Sequence, residues 1–110
     1  MLFISVEDFF AQVSAIPRIS REDEKALARQ MAAGDEAARE SLVQGYLFLA
    51  AAHVRRVPSR IQTLQTVYAC VAAVEQGVDR FDFQQDGETF LHHLSWRLRQ
   101  CVTRCIAEQL

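Results

Sequence analysis

Residues 90 to 110 read FLHHLSWRLRQCVTRCIAEQL, with neither glycine nor proline in the run. Phe90, Leu91, Leu94, Leu98, Cys101, Val102, Cys105 and Ile106 recur at spacings of three and four, which lines them up as one stripe of an α-helix. Arg97, Arg99, Gln100, Thr103 and Arg104 fall on the other side, and the single tryptophan, Trp96, sits among the arginines. The spacing predicts a helix docked by its apolar stripe, with a basic, hydrogen-bonding outer face.

The rest of the chain agrees with a helical fold. It has 110 residues, half of them hydrophobic, with only 4 glycines and 2 prolines, and it lacks the β-branched runs that mark strands. That length predicts one all-α domain, 1–110, with a real core. The net charge of -2 excludes a globally basic protein, so any polyanion contact must rest on a local patch. Twelve cationic residues include one lysine, Lys25, and from Arg55 onward basic residues slightly outnumber acidic ones. The second half is therefore the side to search for such a patch.

Three cysteines cannot all pair, and Cys70, Cys101 and Cys105 all lie on apolar helical stripes. Reduced thiols and a cytoplasmic location are the expectation. The apolar start, MLFI, is followed at once by Glu7 and Asp8, so neither a signal peptide nor a membrane helix is expected.

In chain order, Ser5 is a fitting N-cap for a helix to about Val13, with Phe9, Phe10 and Val13 inward. Pro17 breaks the pattern. Ser20, with Asp23 three residues on, opens a helix to about Ala33, which turns Ala26, Leu27, Met31 and Ala32 inward and stops at Gly34. Asp35 caps the next, with Ala37, Ala38, Leu42 and Val43 buried, and a nearly all-apolar helix from Tyr46 to about Val57 should be central. Arg55 and Arg56 suit its C-terminal end, where Pro58 stops it. Ile61 to about Arg80 reads as one long helix, and the polar run from Gln84 to Glu88 is a loop before the last.

Three collinear segments carry a family resemblance. RQCVTRCIAEQ at 99–109 is similar to the RQAITRxIADQ run of primary-class bacterial RNA polymerase sigma factors, in the helix that reads the minus-ten promoter element. VEQGVDRFDF at 74–83 resembles their LMRAVEKFDY. IPRISREDEKALARQMAAGDEAARESLVQGYLFLA at 16–50 resembles the lead-in to region 2. The resemblance implies regions 1.2 and 2 of a sigma factor in divergent form. Residues 1–33 would be lead-in helices and 34–110 a core bundle ending in a recognition helix, 88–110.

The resemblance implies, further, a DNA-binding set of His93, Trp96, Arg97, Arg99, Gln100, Thr103 and Arg104. Gln100 and Thr103 would face base edges, Arg99 and Arg104 would suit phosphates, and Trp96 matches the first residue of the family's tryptophan pair. The partners implied are core RNA polymerase, through its clamp coiled coil, and the single-stranded minus-ten element. The chain departs from the family at several points. Its tyrosine platform aligns with His93 and its second tryptophan with Arg97. The basic loop is here Gln84, Gln85, Asp86 and Glu88, and a pocket asparagine aligns with Tyr46. The clamp-binding DLIQEGN aligns with residues 65–71, QTVYACV, leaving Gln65, Tyr68 and Val71 as the polymerase or partner face.

No catalytic chemistry, cofactor or metal is expected. His92 and His93 are adjacent and diverge by about 100° on a helix. Cys101 and Cys105 share a face, but it is the face that should be core. The sequence thus leaves two readings: a sigma-like initiation domain that binds polymerase and the minus-ten element, and a degenerate sigma-like module that binds a protein partner and no longer recognises or melts promoters.

Overall fold

Five side-chain caps set where the helices begin. The computed structural model describes residues 2–110, and Met1 lies outside them. Ser5 accepts a hydrogen bond from the N–H of Asp8 at the start of α1 (Val6–Ser14), and Ser20 from Asp23 at the start of α2 (Arg21–Ala32). Asp35 accepts from Ala37 and Ala38 and opens α3 (Glu36–Arg56). Thr63 and Thr89 do the same for α4 (Leu64–Arg80) and α5 (Phe90–Gln109). Each satisfies one or two of the N–H groups that a helix start leaves unpaired. Among the described residues there is no strand, and the fold is all-α.

Two boundaries and one set of buried positions differ from the sequence reading. The segments read as separate helices after Asp35 and from Tyr46 are the single 21-residue helix α3. Ile61 belongs to a short 3-10 turn, Ser59–Ile61, not to α4, because the Thr63 cap restarts the chain two residues later. Ala32 and Ala37, expected inward, are exposed, whereas their neighbours Ala28 and Ala38 are buried. Gly34 ends α2 as expected, at a φ of 98° that an L side chain rarely adopts.

The core lies where α3, α4 and α5 meet. Leu42, Leu47, Ala50 and Val54 of α3 pack against Val67, Cys70, Val74 and Val78 of α4 and Phe90, Leu94 and Leu98 of α5, joined by Phe3, Phe9 and Val13 from the N-terminus. Val57, Ile61 and Cys105 form a smaller cluster beneath the 3-10 turn. Arg55 has a structural role, with its guanidinium 4.4 Å from the Phe10 ring centroid, closing α1 onto the end of α3.

Gly45, buried in the middle of α3, is the seat of Ile19 from the stretch before α2. A methyl group here would overlap the end of the Ile19 side chain. Alanine gains about 1 kcal/mol of helix propensity over glycine, whereas overpacking costs typically about 1–3 kcal/mol. Gly45→Ala is therefore expected to destabilise on balance in urea unfolding. Trimming Ile19 to alanine in the same chain should remove part of that penalty, since the clash goes with it.

Arg39 of α3 grips Asp79 of α4 in a two-pronged ion pair, with Nε to Oδ1 at 2.6 Å and Nη2 to Oδ2 at 2.9 Å. The hydrogen bond from Arg39 holds the Asp79 carboxyl below its usual range. A depressed carboxylate contributes stability that is present above the unfolded-state pKa, about 3.9, and is lost as pH falls through the folded value. Both side chains are partly exposed, so solvent screening keeps the contribution at about 1 kcal/mol or less. Asp79→Asn should flatten the acid limb of stability against pH below pH 4 by that amount and leave the neutral plateau slightly lower.

Candidate nucleic-acid interface

The apolar stripe of α5 is held on α4, which fixes what its other side presents. Leu94 and Leu98 are fully buried, whereas Leu91, read as part of the stripe, is 47 % exposed at the first turn. Gln109, at the far end, ties the two helices together. Its amide donates to Thr66 Oγ1 at 2.7 Å and its oxygen accepts from Thr63 Oγ1 at 2.8 Å, while the Thr66 hydroxyl donates to the Ile61 carbonyl at 2.7 Å. Thr66 is wholly buried, so this chain of bonds satisfies a hydroxyl that burial would otherwise penalise. No spacing rule pointed to Gln109; only the juxtaposition of the two helix ends reveals it.

Trp96, Arg99, Gln100, Thr103 and Arg104 stand on the exposed side of α5. Trp96 is 55 % exposed and forms one wall of a groove of about 500 Å³ between α4 and α5, together with Ala69, Ala72, Gln76, Gln100 and Arg104. The indole thus offers a free aromatic face beside the Gln100 amide and the Arg104 charge. Thr103 donates its hydroxyl proton back to the Arg99 carbonyl at 2.9 Å and keeps acceptor capacity outward.

His93 and Arg97 are bonded to each other, and of the two Arg97 also lines the groove beside Trp96. Arg97 Nε–H donates to His93 Nε2 at 2.9 Å, which assigns the acceptor role to Nε2 and the ring hydrogen to Nδ1, 3.5 Å from Glu88 Oε1. The imidazole lies against Phe81, with ring centroids 5.0 Å apart, and near Phe90. The family tyrosine's counterpart is thus packed between the loop and its own helix. Its stacking face is taken.

The partner face on α4 is also partly occupied by the chain itself. Gln65 is exposed and Val71 half-buried, but the Tyr68 hydroxyl accepts from Phe3 N–H at 2.9 Å and donates to the Phe3 carbonyl at 3.1 Å. Asp8 and Gln12 hold the flanking backbone at Ile4 and Leu2. Tyr68 keeps 38 % of its surface, and Leu2 and Ile4 project outward on either side of buried Phe3.

A second hollow, of about 590 Å³, separates α2 from the loop before α5. Its floor is aromatic, with Tyr46, Phe48, Phe81 and Phe83, and Arg18 covers Phe48 at 4.1 Å. Tyr46 donates its hydroxyl to Glu24 and stands edge-on to Phe90, and burial, with that bond, pushes its phenol pKa up. Where the resemblance places a pocket asparagine, this chain has a tyrosine that joins α2 to α3. Among the described residues no cluster of His, Cys, Asp and Glu could hold a metal ion, and no helix is long and apolar enough to cross a membrane.

Comparison with known proteins identifies the relationship. Residues 5–37, covering α1, α2 and the Asp35 cap, match the family model for sigma-70 factor, region 1.2. The chain is similar to the sigma-70 factors. RNA polymerase sigma factor SigA of Clostridium acetobutylicum is 29 % identical over 96 % of this chain. SigA of a Bacillus species is 29 % identical over 94 %, and SigA of Lactococcus lactis subsp. cremoris 31 % identical over 94 %. The alignments thus reach into α5, beyond the region 1.2 match. The chain spans only 28–29 % of the length of these sigma factors.

Proposed function

We propose that the chain is a sigma-type transcription initiation domain that binds core RNA polymerase and reads a single-stranded minus-ten element through the outer face of α5. The observation that carries the reading is the exposed Trp96 beside Gln100, flanked by Arg99 and Arg104, on a helix whose other face is buried in the core. Trp96 stacks an unpaired base, Gln100 and Thr103 hydrogen-bond base edges, and Arg99 and Arg104 neutralise phosphates. The chain's own residues perform no covalent step. Melting is weakened relative to the relatives' pattern, because the His93 ring is packed on Phe81 and Arg97 is bonded to it.

Polymerase docks along the exposed side of α4 that contains Gln65. Retention of the purified chain on immobilised bacterial core RNA polymerase tests this half: the chain is retained and Gln65→Arg lowers the retained fraction. Failure of the chain to be retained overturns it. A second reading, a protein-binding module without promoter activity, is favoured by one feature, the apolar patch of Leu2, Ile4 and Tyr68 beside Gln65. Under that reading neither polymerase nor the oligonucleotide binds.

A further inference from the structure

Two histidines, a carboxylate and an arginine are linked at the start of α5. Glu88, in the loop before the helix, lies 3.9 Å from His92 Nε2 through Oε2 and 3.5 Å from His93 Nδ1 through Oε1. His93 Nε2 accepts the Nε–H of Arg97 at 2.9 Å, and its ring is held against Phe81. The Arg97 stem crosses Gly77 of α4, where an added Cβ would come within 3.5 Å of Arg97 Cδ. Arg97 lines the groove with Trp96, Gln100 and Arg104. The bond to His93, which stands outside the groove, draws its guanidinium toward the first turn of α5.

The bond exists in only one protonation state of the imidazole. A neutral ring has one acceptor nitrogen, and Arg97 occupies it; in a protonated ring both nitrogens donate and neither accepts. Histidine is the side chain that makes this change between about pH 5 and 8. Protonation therefore removes the bond and sets two cations side by side, whereas Glu88 keeps the Nδ1–H and gains an opposite charge to face. Arg97 is the member that must leave, and the groove is the space open to it. Around the imidazole, α4 carries Glu75, Asp79 and Arg80 toward its end, and the segment after it carries Asp82. Asp79 is held by Arg39, and Asp82 accepts from the Gln84 N–H at 2.9 Å. Among the described residues none of these four makes an ion pair with His93 or Arg97.

We propose that His93 is a protonation-controlled positioning residue, which holds Arg97 back when neutral and releases it into the groove beside Trp96 when protonated. The inference rests on the reading of α5 as a nucleic-acid interface, and the group that Arg97 gains is a phosphate of the bound strand. Arg97 then joins Arg99 and Arg104 as a third phosphate contact. The interface strengthens as pH falls.

Nitrogen-15 NMR of the free chain tests the hold without any nucleic acid. At about pH 8 the His93 ring should be protonated at Nδ1 alone and the Arg97 Nε–H signal should persist; on titration to about pH 5.5 that signal should disappear with the midpoint of His93 protonation. A ring protonated at Nε2 at the higher pH, or an Arg97 signal indifferent to the titration, would overturn the proposal. Anisotropy with the single-stranded minus-ten oligonucleotide tests the consequence. Affinity should be about 2- to 5-fold higher at the lower pH, with a log–log salt slope steeper by about 0.7 for the added phosphate contact. His92→Gln should keep most of this difference, because His92 is not bonded to Arg97. His93→Gln, whose amide oxygen can accept from Arg97 at every pH, and Arg97→Ala should each abolish it, which lost packing alone would not do. Equal salt slopes in the unaltered chain, or a pH difference that survives Arg97→Ala, would contradict the release. No binding at either pH would overturn the reading of α5 and with it the gained phosphate contact, while the NMR titration decides the hold separately.

Discussion

Leu94→Ala is expected to cost about 3–5 kcal/mol of stability, the upper part of the range for a leucine removed from a closed core. Leu94 has no exposed surface and lies among α3, α4 and α5, where none of the three helices can move inward without parting from another. Against a total stability of about 5–15 kcal/mol for a domain this size, the variant should unfold at room temperature or lose roughly 15 °C or more in Tm. Leu91→Ala is the matched control. It removes the same side chain from the same helix but from a position 47 % exposed, so a change within about 0.5 kcal/mol is expected. Thermal unfolding followed by circular dichroism separates the two. Equal losses would mean that α5 docks by a different face, and the outer surface assigned above would be wrong.

Trp96→Ala has the opposite signature, with a large effect on binding and a small one on stability. Stacking of a base on an aromatic side chain is worth about 1–3 kcal/mol, so affinity for a labelled single-stranded minus-ten oligonucleotide should fall roughly 5- to 150-fold. Fluorescence anisotropy measures it. Gln100→Ala should lose less affinity overall but more of the preference over a scrambled oligonucleotide, because a base-edge hydrogen bond specifies where stacking does not. Arg99→Ala and Arg104→Ala should weaken all sequences alike and shallow the salt dependence, by about 0.7 in the log–log slope for each phosphate that is no longer neutralised.

Much of the architecture is legible in residues 90–110 and in the caps. A stripe at three- and four-residue spacing has one helical solution, and Ser5, Ser20, Asp35 and Gly34 mark boundaries through bonds that their own side chains or backbones make. The reading fails where local pattern and tertiary packing compete. The run from Glu36 to Arg56 is one helix straight through Gly45, whose missing side chain leaves the space that Ile19 fills, a neighbour that no local rule contains. Ile61 has helical spacing with Leu64, yet Pro58 and the Thr63 cap place it in a separate turn.

The candidate site is legible in part for the same reason. Trp96, Arg99, Gln100, Thr103 and Arg104 fall outward by periodicity alone, and the structure finds them there. His93 sits on the same helix and would pass as a free aromatic platform, but Phe81 and Glu88, from the loop before α5, close over it. Tyr68 likewise reads as part of an open face, and only the path of residues 2–4 brings Phe3 against its hydroxyl. The bonds of Gln109 to Thr63 and Thr66 depend on how α4 and α5 pair, which sequence spacing does not encode.

Trp96 is the one tryptophan in the chain, so its fluorescence reports on the proposed interface and on nothing else. Titrating the chain with a single-stranded minus-ten oligonucleotide, beside a scrambled one of equal length, tests base stacking at α5 directly. The expected result is saturable quenching, at lower concentration for the minus-ten sequence, weakening with added salt. Unchanged fluorescence with both oligonucleotides, at concentrations where the relatives' pattern would bind, would contradict a DNA-reading role for α5.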